Sequence, residues 1–293
     1  MTAKKVVLIT GCSDGGLGSA LALAFHETGQ YRVVATARDL SKLGDTRAAG
    51  IEELELDIVS KDSVSACAQK LEALTGGHLD LLINNAGTGY NMPVLDINLD
   101  EGRRVFDVNV WSLITVSRAF LPLLMKTPNA KIANNVSVAA YASMPLQGVY
   151  NASKAAANLM TETLRLELKP FGIGVVSLMT GSVKTNFYTN IAQQGHWGSL
   201  PDDSIYRVVP GGLKMMQSQD AQVLVFKDSM DATTWARQVV GDLSPANPPI
   251  QIWRGTKAWL IRLVALLPTG ILDSVYTKAS KLDELEKALA GSR

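Results

Sequence analysis

Val6-Val7-Leu8-Ile9-Thr10-Gly11-Cys12-Ser13-Asp14-Gly15-Gly16-Leu17-Gly18 is the stretch whose reading decides the fold. Val6 to Thr10 is a short, β-branched apolar run, the kind a strand needs when both its faces are buried. It passes straight into a glycine-rich turn, and Ser19 to Thr28 then reads as a helix. Strand, glycine turn, helix is the context that a dinucleotide fingerprint requires. The glycines permit a tight turn and let the backbone approach a pyrophosphate. The helix start offers free N–H groups and a dipole of the right sign. Gly11, Gly16, Leu17 and Gly18 are the expected contacts, with Ser13 or Asp14 beside the adenosine ribose.

Outward from this stretch, Tyr31 to Ala37 reads as a second strand, Ile51 to Ile58 as a third, Leu79 to Ile83 as a fourth and Lys131 to Ser137 as a fifth. Helical segments lie between them at Ser60 to Leu74 and Leu99 to Met125. A sixth strand precedes Thr180-Gly181, Asp231 to Leu243 is helical, and Pro248 to Arg254 reads as a last strand at the sheet edge. Strands alternating with helices imply a parallel sheet covered on both faces. The predicted fold is α/β, a Rossmann-type doubly wound parallel sheet of about seven strands. Residues 1–293 are expected to form a single domain.

Such sheets bind ligands at the carboxyl ends of their strands. Arg38 follows the second strand, where an NAD-preferring fold carries a carboxylate for the ribose hydroxyls. A guanidinium there pairs with a ribose phosphate and stacks on adenine, so NADP(H) is expected over NAD(H). The alternative is that Arg38 is a solvated charge ahead of a helix start at Asp39 or Ser41. Asp57 and Ile58 end the third strand, and Asn84-Asn85-Ala86-Gly87 follows the fourth. Asn85, Ala86 and Gly87, small or amide-bearing, suit backbone approach to a cofactor ribose.

Composition narrows the function classes. The chain has 293 residues, 47% hydrophobic, enough for one large core, and a net charge of +1 that leaves no electrostatic footprint for nucleic acid. Cys12 and Cys67 show neither metal-ligand nor redox spacing, which points to isolated thiols in a reducing compartment, and no metal is expected. Met1 to Lys5 leaves no room for a leader before the first strand. No apolar stretch is read as approaching the roughly 20 residues of a membrane span, so a cytoplasmic protein is expected.

Gly148-Val149-Tyr150-Asn151-Ala152-Ser153-Lys154 places a Tyr and a Lys four residues apart in a helical run, hence on one helical face. A phenol of ordinary pKa about 10 is a poor acid or base at neutral pH. A fixed ammonium beside it favours the phenolate and is expected to bring that pKa down. Ser137 lies thirteen residues before Tyr150, and Asn109 lies in the long helix ahead of it.

Taken together, Thr10-Gly11…Gly16-Leu17-Gly18, Asn84-Asn85-Ala86-Gly87, Asn109, Ser137, Tyr150…Lys154 and Thr180-Gly181-Ser182-Val183-Lys184-Thr185 make the chain resemble the single-domain branch of the short-chain dehydrogenase/reductase family. The resemblance covers roughly residues 4–240. It implies that Tyr150 is the general acid in carbonyl reduction and the base in alcohol oxidation. It implies further that Ser137 bonds the substrate carbonyl, and that Lys154 holds the nicotinamide ribose and lowers the Tyr150 pKa. Asn109 would hold a water leading to Lys154. Gly181, Val183 and Thr185 would contact the nicotinamide end. Helices at 99–125 and 148–169 would form dimer or tetramer faces. Within the family, the Thr-Gly-Cys-Ser-x-Gly-Gly turn with the Trp-Arg-Gly and apolar tail is most similar to the NADPH-dependent acyl-dihydroxyacetone-phosphate reductase group and its secondary-metabolism relatives. An isomerase, dehydratase or cyclase using the same residues without net redox, and a non-catalytic scaffold, are the competing readings.

Two departures stand out. The glycine turn is one residue longer than the family pattern, and Thr180 stands where the family carries Pro. Residues 186–226 lack clean periodicity and read as a substrate lid whose Phe187, Tyr188, Trp197 and Tyr206 suggest an apolar substrate. His196 in it reads as a surface histidine, and the only cations on the substrate side are Lys184, Arg207 and Lys214. Residues 254–293 form a tail whose 257–268 segment is apolar on most faces. That segment is expected to pack over the substrate mouth, the alternatives being a membrane surface or a partner subunit. Lys278 to Leu289 reads as a charged amphipathic helix.

Overall fold

Successive residues of a strand face opposite ways, and the first strand shows what this builds. Val7 and Ile9 of β1 (Lys5–Ile9) enter one core with Phe25 and Trp235, while Val6 and Leu8 enter another with Leu71, Val116 and Phe120. Both faces of β1 are therefore buried, as its unbroken apolar run requires. The computed structural model describes residues 4–193, 200–208, 228–268 and 270–291. His196, Trp197 and Lys214 lie outside the described residues, as does most of the second half of the lid.

The main sheet has seven strands in the order β3-β2-β1-β4-β5-β6-β9. The remaining members are β2 (Tyr31–Ala37), β3 (Glu52–Glu55), β4 (Leu81–Asn84), β5 (Lys131–Asn135), β6 (Gly174–Thr180) and β9 (Gln251–Arg254). Every pairing is parallel. The helices α1 (Leu17–Glu27) and Ala232–Leu243 cover one face, and α3 (Lys61–Thr75) and α5 (Ser112–Met125) the other. A two-stranded ribbon, β7 (Val183–Lys184) with β8 (Met230–Asp231), sits beyond the main sheet. The order reverses between β1 and β4, which is where such sheets open a crevice at their carboxyl ends.

Several boundaries differ from the sequence reading. β3 is shorter than 51–58: Asp57 and Ile58 lie in the turn after it, with the Asp57 carboxylate accepting from the Val59 N–H. β4 starts at Leu81, after the turn through Gly76 and Gly77. β5 ends at Asn135, so Ser137 stands beyond the ladder. β9 begins at Gln251, because Pro248 and Pro249 have no N–H to give a neighbour. Lys278 to Leu289 is split, with Asp273–Ala279 and Leu282–Gly291 meeting at Lys281 in a left-handed conformation.

Leu99 to Met125 is continuous but not uniform: α4 (Leu99–Phe106) passes through a π-helical turn, Asp107–Trp111, into α5. It is also long and apolar enough by length and composition to cross a membrane, contrary to the sequence reading. Half of its most apolar window is buried inside the fold, where Val116, Phe120 and Leu124 serve the core.

Candidate active site

Thr10, at the end of β1, knits the crevice together. Its hydroxyl accepts from the N–H groups of Asn85 (2.9 Å) and Ala86 (3.0 Å), and its carbonyl accepts from the Asn85 amide (2.8 Å). This brings the glycine turn against the segment after β4. The fit is close: a Cβ on Gly11 (φ 72°) would lie 2.8 Å from Ala86 Cα, and one on Gly18 would collide with the Gly11 carbonyl. Gly16 precedes α1 with no side chain capping it and no acidic residue in the first turn. The first N–H groups of α1 therefore carry no side-chain cap, as an anion site there requires.

Asp14 does not point free towards a ribose. Its carboxylate accepts from the N–H groups of Gly44 (2.8 Å) and Asp45 (3.0 Å), at the start of the short helix α2 (Gly44–Ala48). Arg38 is exposed and has no hydrogen-bond or ion-pair partner among the described residues.

Tyr150 and Lys154 lie on α6 (Gly148–Leu168) and face the same way, with Lys154 Nζ 5.9 Å from the Tyr150 ring centre. Lys154 is buried and donates to the Asn135 carbonyl at 3.0 Å, the last residue of β5. Burial pulls its pKa down to about 8. Tyr150 departs from expectation: burial pushes its pKa up, partly offset by a hydrogen bond with Ser137. The expected lowering by the ammonium is not what governs it, because desolvation disfavours the phenolate more strongly. Ser137 holds φ 153° and ψ 154°, a region used almost only by glycine. Its hydroxyl accepts from the Ala139 N–H (3.1 Å) and donates to the Thr180 carbonyl (3.4 Å).

Asn109 sits in the π-helical turn with its side chain engaged. Its Oδ1 accepts from the Thr88 N–H, and its Nδ2 donates to the Thr88 carbonyl and to Ser153 Oγ. Both amide protons are used to tie α4–α5 to α6 and to the loop after β4. Gly87 lies against both groups, an added Cβ falling 3.3 Å from Asn109 Oδ1 and 3.5 Å from Lys154 Nζ.

Three residues of this region were not read from the sequence as site residues. Asn135 donates from Nδ2 to Asn85 Oδ1 (3.0 Å) and accepts at Oδ1 from the Thr180 hydroxyl (2.7 Å). Thr180, standing where Pro was expected, thus supplies a hydroxyl that completes a chain across the ends of β4, β5 and β6. Asn186 donates its N–H to the Gly15 carbonyl at 3.1 Å, joining the glycine turn to the segment after β7. A polar residue at a strand end was the available signal for Asn135; for Asn186 there was none.

Gly181 packs against Gly255 and the Thr256 carbonyl, and Val183 begins β7. Thr185 accepts from the Phe187 N–H at the start of α7 (Phe187–Gln193), so the lid begins as a helix. The Phe187 ring lies 6.0 Å from that of Tyr150. Arg207 is spent on the Leu200 and Pro201 carbonyls and on Asp202. A surface cavity of about 610 Å³, lined by Lys5, Tyr31 and Asp80, lies at the opposite ends of the strands and touches none of these groups.

Residues 5–195 match the family described as short chain dehydrogenase. A short-chain dehydrogenase/reductase of Pestalotiopsis microspora is 42% identical over 287 residues, covering 98% of both chains. The chain belongs to the short-chain dehydrogenase/reductase family. Another relative in this family, an NADPH-dependent 1-acyldihydroxyacetone phosphate reductase of Schizosaccharomyces pombe, is 35% identical over 93% of both chains. Among solved structures, a short-chain dehydrogenase from Streptomyces avermitilis superposes with a TM-score of 0.73 at 25% identity, covering 98% of both chains. The family assignment accounts for the seven-stranded parallel sheet and for the order in which Ser137, Tyr150 and Lys154 occur.

Proposed function

We propose that this short-chain dehydrogenase/reductase reduces a ketone or aldehyde of an apolar small molecule to an alcohol, with NADPH as reductant and Tyr150 as general acid. The observation that carries the reading is the meeting of Ser137, Tyr150 and Lys154 beside Gly87 at the carboxyl end of the sheet. The bound nicotinamide supplies the hydride. Tyr150, protonated at neutral pH and the more so for its burial, has a proton to give as charge develops on the carbonyl oxygen. Ser137 bonds that oxygen. Lys154, which donates to the Asn135 carbonyl, would hold the nicotinamide ribose. Because the Asn109 side chain is engaged, the water expected beside it would be held by its main-chain carbonyl.

The residues suited to the cofactor are the glycine turn and open start of α1 for the pyrophosphate, Arg38 for a ribose phosphate, and Asp57, Ile58, Asn85, Ala86 and Gly87 for the adenosine and ribose. Gly181, Val183 and Thr185 take the nicotinamide end. Arg38, exposed and without a partner among the described residues, and the NADPH dependence named for the fission-yeast relative support NADP(H) over NAD(H). Phe187, packed on Tyr150, supports an apolar substrate.

The test is Tyr150→Phe in the full chain. Loss of the general acid should lower kcat for a medium-sized apolar ketone by about 10²- to 10⁴-fold while NADPH still raises the melting temperature. Turnover unchanged by this substitution would remove Tyr150 from the chemistry.

Trp111, Leu159 and Leu166 are exposed on the 99–125 and 148–169 helices, which we assign to a homodimer or homotetramer interface. The 257–268 segment docks through Ala258 near the loop after Ser137, yet Trp259, Leu263 and Leu266 remain exposed. The expected packing of its apolar faces over the substrate mouth is therefore only partial. We assign the exposed stripe to an anionic membrane surface, since the 257–268 segment carries the exposed cations Lys257 and Arg262 and no acidic residue.

A further inference from the structure

The longer glycine turn has a consequence for nucleotide recognition. We infer that Asp14 is a positioning residue that braces the Arg38 loop against the pyrophosphate turn, and so sets discrimination for a nucleotide carrying a ribose 2′-phosphate. The inference rests on the NADPH reading above and deepens it.

Asp14 grips the segment after β2 at three points. Its N–H donates to the Lys42 carbonyl at 2.9 Å, and its two carboxylate oxygens accept from the Gly44 and Asp45 N–H groups. Gly44 is pressed onto that carboxylate, since an added Cβ would lie 2.9 Å from Oδ2. At the near end, the Cys12 N–H donates to the Thr36 carbonyl at 2.8 Å, which ties the same turn to β2. Between these anchors the Asp39 carboxylate accepts from the Ser41 N–H and hydroxyl, closing the short turn that follows Arg38. Residues 38–45 are thus bonded to β2 at one end and to Asp14 at the other, with Leu43 buried in the core between them. Arg38, on this span, makes no bond of its own among the described residues to fix it.

A guanidinium discriminates a phosphate only if held at the right place, so the brace is worth selectivity as well as stability. The competing reading is that Asp14 is simply a negative charge near the phosphate. The two differ in sign: removing a brace lowers preference for the phosphorylated nucleotide, whereas removing a repelling charge raises it.

The experiment is calorimetric titration of the full chain with 2′,5′-ADP and with 5′-AMP, which reads binding without turnover. Wild type should prefer 2′,5′-ADP by about tenfold or more, a difference of about 1.4 kcal/mol. Asp14→Ala should reduce that ratio by about fivefold or more with 5′-AMP affinity held within about twofold, and should have no further effect in an Arg38→Ala background. Asp14→Asn keeps an acceptor for the loop and loses the charge, so it should retain the ratio. A ratio unchanged or raised in Asp14→Ala, or raised in Asp14→Asn, overturns the inference. So does equal weakening of both nucleotides. If Asp14→Ala does not fold, Asp14→Asn alone decides between brace and repulsion. A wild-type ratio near one would instead sink the NADPH reading itself.

Discussion

Lys154 shows how much the site gives up in stability. The ammonium is buried with one carbonyl partner, and its pKa falls from 10.5 to about 8. The folded state therefore carries an unfavourable charge that is fully present below pH 8. The penalty fades as pH rises from about 8 to 10.5, where the unfolded chain still holds the proton and the folded chain does not. Lys154→Met should accordingly be inactive yet more stable at pH 7, by at most about 3 kcal/mol, less the cost of leaving the Asn135 carbonyl without a donor. The gain should vanish towards pH 10.5, which urea melts at the two pH values would check. Cofactor binding should show the opposite dependence. A polyanion favours the ammonium, so NADPH affinity should fall as pH rises above about 8 in wild type and stay flat across that window in Lys154→Met.

At the scale of elements, the glycine turn is set by contact. Gly18 lies where α1 meets β1 and the segment after β4, and any Cβ there strikes the Gly11 carbonyl and the Asn85 amide. Gly18→Ala should cost about 1–3 kcal/mol through overpacking and weaken nucleotide binding, both readable from melting curves with and without NADPH. Lys131 does comparable work at a helix end. Its buried ammonium donates to the carbonyls of Leu243 and Pro245, just where the Ala232–Leu243 helix stops. Lys131→Met should cost about 1–3 kcal/mol by stranding those carbonyls. The elements themselves were largely legible: apolar runs marked the central strands β1, β2, β4 and β6, though not β3, whose four residues are Glu-Glu-Leu-Glu, and Ser60 and Gly76 cap α3 as such residues should. Their ends were less so. Ser137 read as the last residue of a strand, whereas it stands beyond the ladder in a strained turn, its hydroxyl bonded to Ala139 and Thr180.

For the whole molecule, the exposed apolar surface governs assembly and docking, both readable in solution. Light scattering should give a mass of at least twice 31.4 kDa; a monomer would remove the interface assigned to the 99–125 and 148–169 helices. Sedimentation with vesicles containing phosphatidylserine should carry the protein down at low salt, and Trp259→Ser with Leu266→Ser should release it. No sedimentation of wild type would leave the tail facing another protein surface.

The order of strands and helices, the glycine turn after β1 and the shared helical face of Tyr150 and Lys154 followed from the sequence, because strand burial, helical spacing and glycine placement are local properties written along the chain. Three things needed the folded molecule: the upward pKa shift of Tyr150, the Thr180–Asn135–Asn85 chain across three strand ends, and the clasp of Asp14 on residues 42–45. Each depends on groups 28 or more residues apart, or on how much water the fold excludes. Neither separation in space nor desolvation is encoded by neighbours in sequence.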